Sequence, residues 1–219
     1  MGEYPVKGII FDMDNTLLRS NIDFGRMKQE IYAYLRERDL LPEQAPIDRE
    51  TSSTLIRQAL AANRMTPRQV NEVWAIAAKH ETEGMAGADL EPGVRELLAE
   101  LQGKAALTVL TNNSILAARA ALEENRILHV FDLVVGREDA GELKPSPDGV
   151  RLILNLYPRL TSRDWISVGD AWIDCIASQD AGVRFIAYRA DMEKMRIAGA
   201  VPDDSIAHLA ELTRVIQST

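Results

Sequence analysis

The chain has 219 residues, of which 46% are hydrophobic and 26% are charged, and both fractions are close to the average for globular proteins. This length suits one α/β domain, or one such domain with a smaller insertion, and disfavours a third domain. Acidic residues outnumber basic ones by 33 to 25, so the net charge of −8 disfavours nonspecific attraction to nucleic acid or to an anionic membrane. An anionic substrate therefore needs a local positive group, such as a bound metal ion.

Cysteine content and the lengths of the apolar segments indicate where the protein acts. Cys175 is the only cysteine, so the sequence offers neither an internal disulfide nor a cysteine zinc cluster, and a reducing cytoplasm is expected. The first apolar segment is too short for the core of a signal peptide. No segment approaches the roughly 20 apolar residues that a membrane-spanning helix needs. We expect a soluble cytoplasmic protein that does not interact with membranes.

The first part of the chain predicts one strand followed by a block of helices. Residues 6–11 form a short apolar run that ends at an acid, which is typical of a buried strand leading into a polar loop. Apolar residues at helical spacing then recur over 24–35, 51–62 and 66–84. Because no strand signal interrupts them, residues 18–88 are predicted to form an inserted helical domain.

After this block, strand and helix signals alternate, which is the βαβ pattern of a parallel sheet with helices on both faces. Four further strands are predicted, at residues 105–110, 131–135, 165–168 and 183–188. Five helices are predicted, at 92–102, 114–125, 147–157 after Ser146 as cap, 173–181 and 204–217. The expected fold class is therefore α/β, a Rossmann-like doubly wound sheet formed by residues 1–17 and 89–219, with its site at the carboxyl ends of the strands.

Two acids, Asp12 and Asp14, follow the first predicted strand and are two residues apart. Period-two geometry can direct both carboxylates to the same side, where they repel each other. A divalent cation would relieve this repulsion, and Mg²⁺ prefers carboxylate, carbonyl and water oxygens. An ordinary turn with a helix cap is the alternative, because Asp, Asn and Thr favour both positions. The other strand ends are needed to decide between the two.

Polar residues also follow the next three predicted strands. Thr111 and Asn112 offer a hydroxyl and a backbone N–H that can hold phosphate oxygens, or alternatively a plain helix cap. Lys144 supplies a cation, although most lysines in such positions are solvated. Asp170 and Asp174 add two carboxylates that can share one face of a helix, and their burial without a cation would be costly. Agreement at all four strand ends, in this order, indicates a single site.

These four segments, DMDNT at 12–16, TN at 111–112, KP at 144–145 and GDAWID at 169–174, resemble the ordered motifs of the haloacid dehalogenase (HAD) superfamily. The helical insertion between the first two is similar to the helical (C1) cap of the phosphoglycolate phosphatase and β-phosphoglucomutase group. The resemblance implies a HAD-like core with a small all-helical cap. It also implies a Mg²⁺-dependent phosphatase, a phosphoric monoester hydrolase that acts on a small phosphorylated metabolite.

The resemblance also implies a role for each motif residue. Asp12 is expected to be the nucleophile that forms an aspartyl-phosphate, and Asp14 the general acid that later acts as base. Thr111 and the backbone around Asn112 would hold the oxygens of the transferred group. Lys144 would offset the charge crowded between the nucleophile and the phosphate.

The implied metal site holds Mg²⁺ through oxygen atoms, and such ligands also accept Mn²⁺ or Co²⁺. Its expected ligands are the Asp12 carboxylate, the main-chain carbonyl of Asp14, Asp170 and waters, with Asp174 supporting the shell. One departure from the family pattern lies beside them, since Asn15 stands where many relatives have glycine. We expect the turn to survive, because Asn tolerates left-handed backbone angles better than most residues.

Three other functions compete with phosphate hydrolysis. A phosphomutase needs the same residues and differs only in the group that accepts the phosphate, so the sequence leaves it open. A dehalogenase has no need of Asp14, Asp170 or Asp174, which argues against it. A regulatory protein that binds Mg²⁺ and phosphate without turnover is disfavoured because both Asp12 and Asp14 are present.

Other polar residues in the sequence are weaker candidates. Four cations in or beside the helical block can meet an anionic tail of the substrate, although most such cations are solvated: Arg19, Arg57, Arg64 and Lys79. Four residues lack any spacing typical of metal ligands or nucleophiles and are assigned no chemistry: His80, His129, His208 and Cys175.

Overall fold

The computed structural model describes residues 6–41, 47 and 50–217. The chain divides into two compact units, one of Met1–Ser20 with Ala88–Thr219 and one of Asn21–Gly87. The first unit contains a parallel sheet flanked by helices, and the described part of the second contains three helices. Within the described residues, no helix is both long and apolar enough to cross a membrane.

In the described part of the chain, six parallel strands form the sheet: β1 (Gly8–Phe11), β4 (Ala106–Leu110), β5 (Leu133–Val135), β6 (Trp165–Gly169), β7 (Arg184–Tyr188) and β8 (Asp204–Ile206). Their order across the sheet is β5-β4-β1-β6-β7-β8. The predicted α/β class with a doubly wound parallel sheet is confirmed. Since all six strands run in the same direction, their carboxyl ends meet at one edge of the sheet, where a binding site is expected.

The first strand, β1, lies in the middle of the sheet between β4 and β6. All four of its residues are buried, as expected for a strand covered on both faces. Phe11 is in register with Val109 of β4 and with Val168 of β6, so the next residues of all three strands emerge side by side. At the other end of β1, Gly8 is required because a Cβ there would overlap the ring of Trp165.

Among the residues that the structure describes, six α-helices accompany the sheet: α4 (Val94–Leu101), α5 (Ile115–Glu124), α6 (Asp148–Leu156), α7 (Trp172–Asp180), α8 (Met192–Ala198) and α9 (Glu211–Gln217). Ser146 precedes α6 and its hydroxyl accepts a bond from the Asp148 backbone N–H at 3.3 Å. The sequence analysis missed α8, whose start is fixed by the Asp191 carboxylate accepting from two backbone N–H groups.

The predicted final helix at 204–217 is wrong over its first half, residues 204–210. Residues 204–206 form the sixth strand, β8, in parallel register with Ile186–Tyr188, and the helix begins only at Glu211. Asp203 explains the change, because its carboxylate accepts from the Phe185 backbone N–H at 2.8 Å and its own N–H donates to the Phe185 carbonyl at 3.0 Å. This pairing with β7 overrides the weak local preference of residues 204–206 for helix.

The described residues of the second unit include α1 (Phe24–Arg36), α2 (Ser52–Ala61) and α3 (Pro67–Met85). Each helix begins at a polar cap, and the caps of α2 and α3 are the reciprocal boxes of Thr51 with Thr54 and of Thr66 with Gln69. In the first unit, residues adjoining this insertion form two short antiparallel strands, β2 (Leu18–Arg19) and β3 (Asp89–Leu90). The sequence analysis missed this pair, because strands of two residues carry no detectable periodicity.

Candidate active site

Parallel strand ends bring the four predicted segments to one edge of the sheet. Asp12 follows β1, and its backbone N–H donates to the carbonyl of Val168 on β6 at 2.9 Å. Thr111 follows β4 and donates in the same way to the carbonyl of Val135 on β5 at 3.0 Å. The sheet ladder therefore continues past the named strands, and it fixes the backbone from which the polar side chains project.

Lys144 lies at the centre of this group and is 5% exposed. Its Nζ lies 2.6 Å from Asp12 Oδ1 and 2.6 Å from Asp174 Oδ1, and it donates to the Leu110 carbonyl at 2.9 Å. Three oxygens thus surround an ammonium that carries three protons. Burial opposes its charge, but the Asp12 and Asp174 carboxylates raise the pKa of Lys144 above its usual value. The residue is a charged, fixed cation, unlike a solvated surface lysine.

Three carboxylates, those of Asp12, Asp170 and Asp174, each place an oxygen within 4.8 Å of the other two. Burial raises the pKa of Asp12 well above its usual range against the opposing charge of Lys144, and the neighbouring carboxylates raise it further. Burial, together with the charges of Asp174 and Asp14, raises the pKa of Asp170 to about 7. A divalent cation would remove this repulsion, and oxygen-only donors suit Mg²⁺, so the residues fit the metal that the sequence implied.

The Asp14 side chain is directed to a different partner from those three carboxylates. Its Oδ2 accepts a hydrogen bond from Asn113 Nδ2 at 2.7 Å. Asn113 is 5% exposed, and its backbone N–H donates to the Thr111 hydroxyl at 3.1 Å. The sequence analysis missed Asn113, although its position directly after Thr111 and Asn112 was a usable signal. This amide fixes one oxygen of Asp14 and so orients its carboxylate.

Asn112 uses its side chain to fix the loop that carries Lys144. Its Nδ2 donates to the Lys144 carbonyl at 3.0 Å, and its Oδ1 accepts from the Lys144 backbone N–H at 3.0 Å. The peptide bond between Lys144 and Pro145 is cis. This two-way amide pairing holds the lysine backbone against the end of β4, an arrangement that the sequence analysis did not foresee for Asn112.

The turn after Asp14 and the start of α7 complete the site. Asn15 has a φ of 55°, so the predicted left-handed turn is confirmed, and its side chain hydrogen-bonds to Asp170. Asp174 is 3% exposed, and its Oδ2 accepts from the Ala171 backbone N–H at 3.0 Å. Asp174 therefore both caps α7 and contacts Lys144, so its carboxylate is held from two sides.

The weaker candidates lie in other surroundings. His80 Nε2 lies 2.8 Å from Glu30 Oε2 within the helical unit. The His208 backbone N–H donates to Glu211 near the start of α9. Burial raises the pKa of Cys175 to about 11, so this thiol stays protonated and unreactive at neutral pH. Three of the four candidate cations are exposed on the helical unit, namely Arg57, Arg64 and Lys79. The fourth, Arg19, lies on β2.

A model of the haloacid dehalogenase-like hydrolase family matches residues 9–188. The chain belongs to this family. A phosphoglycolate phosphatase from Cereibacter sphaeroides is 27% identical over 186 residues, which cover 83% of this chain and 84% of that protein. Another from Vibrio cholerae is 27% identical over 229 residues, covering 96% and 98%. The chain is accordingly a HAD-type phosphatase enzyme.

Solved structures show the same fold. A HAD-superfamily hydrolase of subfamily IA from Geobacter sulfurreducens matches with a TM-score of 0.62 at 20% identity, and the match covers 97% of both chains. At this identity the likeness concerns the fold alone. It agrees with the parallel sheet of the first unit and with the resemblance drawn from the sequence motifs.

Proposed function

We propose that the enzyme hydrolyses a small phosphomonoester, similar to phosphoglycolate or to a sugar phosphate, through an aspartyl-phosphate on Asp12 and with Mg²⁺ as cofactor. One observation carries this proposal above the others. Lys144 is a buried cation 2.6 Å from both Asp12 and Asp174, beside a group of three carboxylates that fits a divalent ion. The names of the two relatives support the substrate class, and an enzyme with its lone cysteine buried suits the cytoplasm.

In the first step, the Asp12 carboxylate attacks phosphorus and the bond from phosphorus to the ester oxygen breaks. Lys144 holds Asp12 Oδ1, which leaves Oδ2 as the attacking atom. Asp14 gives its proton to the departing oxygen, so this oxygen leaves as a neutral hydroxyl group. The Thr111 hydroxyl and the Asn112 backbone N–H bind oxygens of the group in transfer.

In the second step, water attacks the same phosphorus and the bond between phosphorus and Asp12 breaks. Asp14, now ionised, takes the proton of that water, so the general acid is restored for the next cycle. The Asn113 amide donates to Asp14 Oδ2 and so keeps the carboxylate oriented while the proton is exchanged. The products are inorganic phosphate and the free Asp12 carboxylate, so atoms and charges balance over the cycle.

The metal would be held by the carboxylates of Asp12 and Asp170 and by the main-chain carbonyl of Asp14, with Asp174 supporting the shell. When bound, Mg²⁺ supplies positive charge to the phosphate oxygens and to the nucleophile. Burial and mutual repulsion raise the pKa of both Asp12 and Asp170, and this is the electrostatic state that a cation relieves.

We propose that the helical unit, Asn21–Gly87, is a cap that excludes bulk water during the reaction. Hydrolysis is preferred over the phosphomutase alternative because the relatives matched by sequence are named phosphatases. The non-catalytic alternative is disfavoured, since the family and the relatives indicate an enzyme.

A panel of phosphomonoesters tests the proposal directly. Phosphoglycolate, several sugar phosphates and p-nitrophenyl phosphate are incubated with the protein in the presence of Mg²⁺ or of EDTA, and released phosphate is measured. We expect turnover of the small esters with Mg²⁺ and its loss with EDTA. Turnover that is unchanged by EDTA would exclude the metal, and isomerised sugar phosphate without release of phosphate would indicate a mutase.

A further inference from the structure

A second charged cluster lies at the carboxyl edge of the sheet, and the reaction described above does not use it. Its centre is Glu91, which is 6% exposed. Glu91 Oε1 lies 3.6 Å from Arg19 Nε, and Oε2 lies 3.3 Å from Arg189 Nη1. The Tyr188 hydroxyl donates to Oε2 at 3.1 Å. One buried carboxylate thus holds two arginines.

The chain places this cluster next to the catalytic turn. Arg19 directly follows Leu18, which forms a β-bridge with Asp14. The Glu91 backbone N–H donates to the Leu17 carbonyl in the same turn at 2.9 Å. Each link lies within the sheet-bearing unit, so the position of the cluster relative to the nucleophile loop is set by backbone hydrogen bonds.

Arg189 approaches from the neighbouring strand. It directly follows β7, in which Ala187 is in register with Gly169, the residue before Asp170. Neighbouring strands are about 4.8 Å apart, so Arg189 emerges beside the metal-binding loop. Its φ of 49° is an uncommon backbone state for a large side chain, and its N–H donates to the Ile206 carbonyl at 3.0 Å. The surrounding structure therefore holds Arg189 in a backbone conformation that is intrinsically unfavourable for it.

The charges of the cluster complement those of the catalytic group. Two guanidinium groups against one carboxylate leave a positive excess, and the arginine side chains are 59% and 57% exposed. The catalytic group has the opposite imbalance, with the three carboxylates of Asp12, Asp170 and Asp174 grouped beside the one cation of Lys144. A substrate that carries a second negative group would be repelled there, whereas exposed, fixed guanidinium groups bind carboxylate or phosphate oxygens well.

We propose that Arg19 and Arg189, positioned by Glu91, form a second anion subsite that binds a carboxylate or a second phosphate on the leaving-group side of the substrate. This inference rests on the proposed phosphatase function and narrows its substrate class to phosphomonoesters with an anionic tail. Glu91 is a positioning residue in this arrangement, because its own charge faces the arginines and not the substrate.

Paired substrates of similar size test the subsite. Phosphoglycolate has an anionic tail, 2-hydroxyethyl phosphate is its neutral counterpart, and ethylene glycol bisphosphate carries a second phosphate. In Arg19→Gln and Arg189→Gln we expect the KM of phosphoglycolate to rise about tenfold, with kcat nearly unchanged, because one charge-assisted contact is lost. The KM of the neutral ester should stay within about twofold. The KM of the bisphosphate in the same variants shows whether the subsite also binds a second phosphate.

The matched control is Arg196→Gln, which removes an exposed arginine whose ion pair is with Glu193 on α8. It should leave all three KM values unchanged. Equal losses for the charged and the neutral ester in the Arg19 and Arg189 variants would show a purely structural role and overturn the proposal. Unchanged KM values for both charged substrates would overturn it as well.

A binding measurement separates this inference from the proposed function. In the Asp12→Asn background, calorimetry compares the binding of phosphoglycolate and of 2-hydroxyethyl phosphate with and without Arg19→Gln. If Arg19→Gln weakens the binding of phosphoglycolate more than that of 2-hydroxyethyl phosphate, the subsite is supported. This holds even if the wild-type protein hydrolyses neither ester, because absent hydrolysis would refute only the phosphatase proposal. Equal binding of both esters in all variants would refute the subsite while leaving hydrolysis intact.

Discussion

The Lys144 cluster and the Glu91 cluster lie at the same edge of the sheet and combine the same kinds of charge in opposite proportions. Lys144 is a buried cation that contacts two of the surrounding acids. Glu91 is a buried acid that holds two cations, each of which is more than half exposed. Burial restricts the first group to fixed partners, whereas exposure leaves the arginines of the second able to bind a ligand. The first arrangement therefore suits chemistry and the second suits recognition.

The largest expected effect is the loss of the nucleophile. Asp12→Asn should abolish both steady-state turnover and the phosphoenzyme, because an amide cannot attack phosphorus as a carboxylate does. Stopped incubations with labelled substrate measure the phosphoenzyme, and released phosphate measures turnover. Asp180→Asn, at the exposed end of α7, is the control and should retain full activity. Substantial steady-state activity in Asp12→Asn would refute the assigned nucleophile.

Removal of the buried cation should have the next largest effect. Lys144→Met leaves the Asp12 and Asp174 carboxylates without their shared partner, and breaking a buried ion pair in this way costs about 3–5 kcal/mol. We expect a matching fall in the free energy of unfolding in urea and a severe loss of kcat. Lys194→Met removes an exposed lysine on α8 and should cost less than about 0.5 kcal/mol. Equal stabilities of the two variants would contradict the role given to burial.

Asn113→Ala tests the positioning of the general acid. The substitution removes the 2.7 Å bond to Asp14, so the carboxylate loses its fixed orientation. We expect kcat to fall about 10- to 100-fold with KM little changed, since misplacement of a reacting group lowers the rate of the chemical steps. A change in KM alone would show that Asn113 acts on substrate binding instead.

The smallest predicted effect concerns pH and the metal. Burial and neighbouring acids raise the pKa of Asp170 to about 7, so in the metal-free protein this group binds a proton more tightly than in the unfolded chain. Its ionisation therefore lowers the stability of the metal-free protein as the pH rises from about 4 to 7. Mg²⁺ must displace that proton, so its affinity should weaken by at most about tenfold per pH unit below 7.

Calorimetric titrations of Mg²⁺ at pH 6 and pH 8, in buffers with different ionisation heats, measure both the affinity and the protons released. Protein that has been treated with EDTA and dialysed is the starting state, and Asp180→Asn again serves as the control. Affinity that does not change between the two pH values would show that the carboxylates are already ionised before the metal binds.

The elements that depend on local chain chemistry could be predicted from the order of the residues. Alternating apolar segments predicted five of the six strands of the sheet, and the residues after four of them predicted which side chains would meet at one edge. The capping pattern at Thr66 with Gln69 and the left-handed turn at Asn15 are also local, so they could be predicted without coordinates. Short-range rules suffice where a residue and its partner lie a few positions apart.

Features that depend on partners distant in the chain arise only when the chain is folded. Residues 204–206 became a strand because β7 offers an unpaired edge, and no local pattern in three residues announces this. The contact of Asn113 with Asp14 and that of Glu91 with Arg189 each span almost 100 positions. Such contacts arise when the central strand places separate loops side by side. Their chemistry is set by distance and burial in three dimensions, which the order of residues does not specify.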